Sequence, residues 1–328
     1  AGNAPPGSRR REGGARATRA STRRYGPACG EKVQSARRGA KNGSGPRRVQ
    51  PRPVCAPRHG PGPGARQGRG LEKRVETATD AIAAASERFA SIAGRSATVA
   101  ARAPGRVNLI GEHTDYSEGL VLPCAIDRHT TVVGAARDDA RVVVHALDLD
   151  VSGAFDPNAP RRRGDWLDYA RGVAFALHER GLPTPGIELA VTSRVPTGAG
   201  LSSSAALGVA LCAAWCRLAG GPDAPRDWAE IAHRGESDFV GVGCGILDQF
   251  ASALGRAGHA LRIDCRSRSV TPVRFAGRPL TLLLAHSGVE RSLSVEGEYR
   301  RRVDECAAAF AAARRAGLAE PPARTLRD

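Results

Sequence analysis

The sequence predicts an α+β fold, and three observations carry that reading. Runs rich in β-branched residues and Ala-rich helical runs are interspersed without the regular β-α alternation of a doubly wound sheet. A glycine–serine loop opens directly into an apolar helix. Composition changes abruptly near residue 70, so the folded part is expected to lie beyond it.

Charge makes that boundary visible. The 328 residues carry a net charge of +16, yet residues 1–70 hold 17 of the 49 Lys and Arg against two acids, Glu12 and Glu31. The remainder is close to neutral and offers no general electrostatic grip on a phosphate backbone. The 1–70 arm is rich in Gly, Pro and Arg, has no hydrophobic periodicity and reads as disordered. Passenger sequence is favoured for it over an RNA-binding or targeting role, so no nucleic-acid partner is expected unless through this tail. The chain contains no Met, and its start at Ala1 does not read as a natural one.

The eight cysteines include no C-x-x-C pair, and Cys212 and Cys216 share a helical face as small core residues rather than as metal ligands. No disulfide framework, secretory segment or apolar run of membrane-spanning length is present. A reducing cytoplasm and no membrane partner are expected.

The elements follow in order. LEKRVETATDAIAAASERFASIAG (71–94) predicts an amphipathic helix ending at Gly94, and ATVAARAP a strand. TTVVGAA and RVVVHAL read as two strands paired in a hairpin around Asp138-Asp139. WLDYARGVAFALHERG predicts a helix stopped by Gly181, and GIELAVTS a strand. An apolar helix follows PTGAGLSSS, and DAPRDWAEIAHRGESDFVG suggests another, with Asp223 or Asp227 near its cap. DQFASALG reads as a short helix. HALRIDC, VTPVRF and LTLLLAHSG read as strands, and SVEGEYRRRVDECAAAFAAARRAG as a final helix. No internal repeat is present.

PTGAGLSSSAAL (196–207) has the chemistry of an anion seat. Gly198 and Gly200 let the backbone turn sharply and approach a ligand, and Leu201 leads into Ser202, Ser203 and Ser204 at a helix start. A Walker loop needs a lysine here, and none is present: Lys32, Lys41 and Lys73 are the only lysines in the chain. A nucleotide at this loop must rely on backbone amides, hydroxyls, arginine and metal. A plain glycine–serine turn is an equally good reading of the segment alone.

Two other stretches concentrate charge. PGRVNLIGEHTDYSEGLVLPCAID (104–127) crowds Arg106, Glu112, His113 and Asp115 among strand-forming residues, where charge costs desolvation unless it is paired or meets a polar ligand. GESDFVGVGCGILDQF (235–250) places Glu236 on a polar helix and Asp248 after a glycine-rich turn. Singly, each has a bland reading. Asp248 serves as a helix cap, Glu236 as an exposed acid, His113 as a core histidine, Asp115 as a turn residue, and Arg106 with Glu112 as a structural ion pair.

Together these stretches resemble the GHMP kinase superfamily, and within it the galactokinase family. GRVNLIGEHTDYSEGLVLPCAID is similar to that family's sugar signature, PTGAGLSSSAAL to its ATP loop, CGILDQFAS to the segment carrying its catalytic acid, and EYRRRVDEC to its tyrosine-containing helix start. The likeness runs from about residue 75 to the end. It implies a ribosomal-S5-like N-terminal domain over 71–278 and the beginning of a ferredoxin-like C-terminal domain over 279–328, left incomplete.

The resemblance also implies roles. Arg106, Glu112, His113, Asp115, Gly245, Asp248 and Tyr299 would surround a galactose; Gly198, Gly200, Leu201, Ser202, Ser203 and Ser204 would hold ATP; Ser202 and Glu236 would bind Mg²⁺. The implied reaction is transfer of the γ-phosphoryl group to the anomeric hydroxyl, giving galactose 1-phosphate and ADP. Asp248 would be the base, and Arg106 would stabilise developing charge. Leu247 stands where the family usually has Met, and Arg300 where Asn is common. The family's third, glycine-rich motif lies beyond Asp328, so this piece is expected to be inactive or nearly so. Related kinases of N-acetylgalactosamine or arabinose, and a non-catalytic galactose- and ATP-binding regulator, are the alternatives. A monomer is expected.

Overall fold

The computed structural model describes residues 77–277, 281–285, 298–318 and 323–328, all within the unit Leu71–Asp328. The expectation of a disordered arm over 1–70 lies outside the described residues.

Helix α1 (Ala78–Ala93) starts at a capping box, in which the Thr77 hydroxyl accepts from the Asp80 amide and the Asp80 carboxylate accepts from the Thr77 amide. It ends where Gly94 takes a left-handed conformation, as its sequence foretold. Strand β1 (Val99–Asn108) alternates buried and half-buried residues. After a single turn of 3-10 helix (Asp115–Ser117) come β2 (Leu120–Val121), β3 (Pro123–Ala136), β4 (Val142–Ala146) and β5 (Val151–Phe155). The chain continues through α2 (Asp168–Glu179), β6 (Ile187–Ser193), α3 (Ser203–Ala219) and α4 (Pro225–Arg234), which passes into a π-helical turn (Gly235–Val240). Helix α5 (Leu247–Leu254), β7 (His259–Asp264), β8 (Ser269–Arg274) and α6 (Glu298–Arg315) complete the described elements.

The result is a mixed α+β fold with two sheets, one of order β1-β3-β6-β4-β5 and one of order β2-β7-β8. One face of the larger sheet packs on α2 and α3 around Trp215, Leu177, Leu189 and Leu211, all nearly or wholly buried. On the opposite face α1 buries Phe89 and Ala85 against Val133, Ala135 and Ala190. Phe250 and Leu247 of α5 pack with Leu261 and Ile263 of β7. Cys212 and Cys216 lie in the first of these cores with their sulfurs 3.8 Å apart. Among the described residues no group of three or more His, Cys, Asp or Glu is placed to hold a metal. Among them, too, no helix is long and apolar enough to cross a membrane.

Three expectations are corrected. Strands β3 and β4 do not form a hairpin: β6 lies between them, antiparallel to β3 and parallel to β4. Five consecutive buried residues, Ile187 to Val191, suit β6 to this interior position, and alternation within β3 and β4 does not say which neighbour each takes. The N-cap of α4 is Ala224, followed by Pro225, and neither Asp223 nor Asp227 caps it. Asp223 instead accepts from Arg217, and Asp227 from Arg180. Finally, the described part of LTLLLAHSG, 281–285, forms no strand; Leu283 is 92% exposed. An apolar, β-prone run becomes a strand only when another strand pairs with it.

One close approach positions the site. A Cβ on Gly105 would lie 2.7 Å from the Leu201 carbonyl oxygen, and the Arg106 amide donates to that same oxygen at 3.1 Å. Glycine at 105, beside a register shift between Pro104 and Arg106, lets β1 run directly beneath the glycine–serine loop.

Candidate active site

Arg106 leaves β1 just past that contact. Its Nε and Nη2 reach Asp248 Oδ1 at 2.7 and 2.6 Å, and its Nη1 donates to the Gly200 carbonyl at 2.7 Å. The other carboxylate oxygen, Asp248 Oδ2, accepts from the Ser202 hydroxyl at 2.5 Å. A strand, a glycine–serine loop and the first turn of α5 thus meet on one carboxylate. Asp248 is not a cap, because Ile246 holds the N-cap position of α5. Nor does Arg106 pair with Glu112.

Ser202 is the N-cap of α3 but makes no capping bond with its side chain, and it sits in the left-handed region at φ 57°. Its hydroxyl is committed to Asp248, so the first-turn amides of α3 keep their donors free of side-chain caps. Those amides and the positive end of the helix dipole form an anion seat.

The cavity at this junction measures about 420 Å³. Arg106, Glu112, His113, Asp115, Gly198, Gly200, Leu201, Ser202, Ser203, Glu236, Asp248 and Tyr299 all line it. Gly245 and Ser204 lie off its wall. Gly245 matters for space, since a Cβ there would overlap the Asp115 carboxylate, and its amide donates to the Tyr299 hydroxyl at 3.3 Å. Ser204 hydrogen-bonds Glu236. His113 is exposed rather than a core histidine; it bonds the Tyr116 hydroxyl through Nδ1 at 3.0 Å and lies 6.0 Å from the Tyr299 ring.

Two acids are electrostatically uncomfortable. Burial, then the Asp248 charge, pushes the Asp115 carboxyl up to about 6. Glu236 is no exposed helical acid: it lies in the π-helical turn at 6% exposure, and burial pushes it up to about 7. Its partners are the neutral Ser204 hydroxyl and the Gln249 amide, the latter at 2.7 Å, and among the described residues no ion pair reaches it. Glu236 and the Ser202 hydroxyl are oxygen donors beside an anion seat. That set suits Mg²⁺, which takes one or two carboxylates and fills its shell with water and substrate phosphate.

Sequence reasoning missed several residues. Asn108 lines the cavity with both amide atoms buried and unpaired, as is Gln249 Oε1. Cys244, Val242 and Leu247 add apolar wall. Beyond the glycine–serine loop lies a second, mostly apolar cavity of about 670 Å³ lined by Trp166, Tyr169, Leu149, Pro196, Leu207 and Leu211 among others. The only signal for it was the aromatic pair in WLDYA at the amino end of α2. Size alone does not locate the site: a cavity of about 1020 Å³ between α1 and the larger sheet is lined by none of the candidate site residues.

Residues 87–136 match the galactokinase galactose-binding signature, and residues 168–256 match the GHMP kinases N terminal domain. A Lactococcus lactis galactokinase solved in complex with galactose is similar at TM-score 0.61 and 27% identity, covering 72% of this chain and 62% of that one. A mevalonate kinase from Methanococcus jannaschii is similar at TM-score 0.45 and 19% identity over 55% of this chain and 56% of that one. A D-glycero-D-manno-heptose 1-phosphate kinase from Bacteriodes thetaiotaomicron is similar at TM-score 0.45 and 20% identity over 56% of this chain and 60% of that one. The chain therefore spans about three fifths of the galactokinase it matches.

Proposed function

We propose that this chain belongs to the GHMP kinase superfamily and carries the sugar- and ATP-binding half of a galactokinase, a transferase that moves the γ-phosphoryl group of ATP to the anomeric hydroxyl of galactose. The observation that carries the proposal is the junction Gly200–Arg106–Asp248–Ser202, in which one carboxylate is bonded at once to the arginine of the sugar signature and to the serine of the phosphate loop. The galactose-binding signature over 87–136 favours galactose among the sugars such kinases use.

In this reading Glu112, Asp115 and Asn108 face the sugar, and Tyr299, fixed by Gly245, closes one side. Acidic acceptors suit a hexose because each hydroxyl offers a donor. The phosphates lie against Gly198, Gly200, Leu201 and the amino end of α3, and the adenine enters the apolar slot by Trp166 and Tyr169. Ser202 and Glu236 would hold Mg²⁺, which supplies charge neutralisation on the phosphates when bound.

Asp248 accepts the proton of the anomeric hydroxyl as that oxygen bonds to the γ-phosphorus and the bond to the β-phosphate oxygen breaks, releasing ADP. Arg106 fixes the carboxylate through two donors and places its guanidinium beside the phosphate loop, where charge grows in the transition state. Alignment supplies most of the catalysis in such a transfer.

The test is ³¹P NMR of the purified chain with Mg-ATP and a panel of galactose, N-acetylgalactosamine and arabinose, alongside calorimetric titration of each ligand. Galactose is expected to bind best, and any turnover to yield galactose 1-phosphate. Asp248→Ala is expected to lower kcat by about 10²- to 10⁴-fold while ATP still binds. Equal binding of all three sugars would remove the galactose assignment, and unchanged turnover in the variant would remove Asp248 from the reaction.

A further inference from the structure

The turn that carries Asp115 is not anchored by a core. None of the residues in the 3-10 turn Asp115–Ser117 is fully buried, and the residue that closes it, Glu118, is a non-glycine at φ 59°. The Glu118 amide donates to the Asp115 carbonyl at 3.2 Å, so the backbone of Glu118 closes the turn that carries Asp115. An L-residue in the left-handed region is strained and stays there only when its surroundings over-determine it.

What surrounds Glu118 is a cluster of charges joining the distant segment 323–328 to the end of β7. Arg327 forks onto Asp264, with Nη1–Oδ1 at 2.6 Å and Nη2–Oδ2 at 2.9 Å, and the same Nη1 donates to the Glu118 carbonyl at 2.6 Å. Arg266 donates to the Glu118 carboxylate through Nε at 2.6 Å, to Thr325 Oγ1 at 3.1 Å and to the Asp328 carboxylate at 2.7 Å. Asp328 turns back to accept from the amides of Arg324 and Thr325, which closes the segment on itself. The Cys265 amide meets the Gly119 carbonyl at 3.0 Å, adding a backbone tie one residue further on. Both the carbonyl and the carboxylate of Glu118 are thereby held by guanidinium groups.

Isolated exposed ion pairs contribute little, but a two-pronged arginine shared among three acceptors is geometrically restrictive. Arg327 and Arg266 hold the Asp264 and Asp328 carboxyls well below the usual carboxylate range.

We infer that Arg327, supported by Arg266, is a positioning residue for the sugar site: by pinning Glu118 in its left-handed conformation it sets the turn that presents Asp115 to the cavity. The inference rests on the sugar-site reading above for its functional half, while the pinning of the turn stands on geometry alone. Among the described residues Arg327 makes no hydrogen bond or ion pair to the cavity wall.

Amide hydrogen exchange on the full chain tests the pinning, and titration of galactose and of Mg-ATP tests its consequence. In Arg327→Ala, exchange at residues 115–119 is expected to quicken at least tenfold, with β6 and α3 unchanged. Galactose affinity is expected to fall at least tenfold and ATP affinity by less than twofold. Arg327→Lys, which keeps one donor for the Glu118 carbonyl but loses the fork, is expected to recover part of both. Unchanged exchange at 115–119 overturns the inference, as does a parallel loss of galactose and ATP affinity, which marks general destabilisation. Should Arg327→Ala not fold, Glu118→Gln removes only the charge facing Arg266; it is expected to quicken exchange in the same turn, and an unaltered turn there overturns the inference equally. If the unaltered chain takes no galactose, the substrate assignment falls, and the exchange comparison alone decides the role of Arg327.

Discussion

Asp115→Asn should make the ligand-free protein more stable while making it a poorer sugar binder. The carboxyl is pushed from 3.8 up to about 6 by burial first and by the neighbouring Asp248 charge second. A rise of that size corresponds to about 3 kcal/mol of preference for the protonated form in the folded chain. Below pH 3.8 the group is protonated in folded and unfolded chains alike, and nothing is lost. As pH rises from 3.8 to 6 the unfolded chain gives up the proton first, so stability falls across that window, and above pH 6 the whole penalty is present. Asparagine is nearly isosteric and carries no charge, so it escapes the penalty. It loses part of the acceptor capacity that takes the backbone amides of Asp115 and Tyr116, which trims the gain to about 1–2 kcal/mol at pH 7.5. Urea denaturation of both proteins at pH 4 and pH 7.5 reads this directly. The variant should be the more stable at pH 7.5, and the difference should shrink at pH 4. Added galactose should stabilise the parent more than the variant. A gap independent of pH would refute the argument, because it would show that burial of the charge is not what Asp115 contributes.

Glu236→Gln should behave similarly over a higher window, since burial raises that carboxyl from 4.5 to about 7. A gain of about 1–3 kcal/mol is expected at pH 8 and none below pH 4.5, with Mg²⁺-dependent tightening of ATP lost in calorimetry. Gly105→Ala forces a Cβ to within 2.7 Å of the Leu201 oxygen and 2.8 Å of Val195 Cγ1. The cost should be about 1–3 kcal/mol of unfolding free energy in urea denaturation, accompanied by weaker ATP binding because the glycine–serine loop must lift.

Local signals in the sequence carried the helices well. Gly94 could be read as the end of α1 because a left-handed C-terminal residue is a local demand that glycine meets. Strand partners were harder. Nothing inside TTVVGAA or RVVVHAL records that Ile187–Ser193 slides between them, because pairing is a property of the whole sheet. The candidate site shows the same division. Its charged members stood out because charge beside apolar strands is costly, yet their meeting point, the Ser202–Asp248 bond across 46 residues, has no local signature. Asn108 and Gln249 passed unnoticed because neutral amides do not break a hydrophobic pattern sharply. Trp166 and Tyr169 passed because aromatics at the start of a helix look like core. The capping of α4 misled for a related reason: an aspartate near a helix start is a common cap, but here each nearby arginine offered a stronger partner.

The serine at the mouth of α3 answers to two neighbours at once. A residue that would ordinarily fasten its own helix has lent its oxygen across the cleft to an acid from another part of the chain. Anything that tugs on that oxygen from the loop side also moves the acid, so in the proposed reaction the grip on one substrate and the deprotonation of the other share a single mechanical linkage. Sequence drift at this one position would be felt in both steps together.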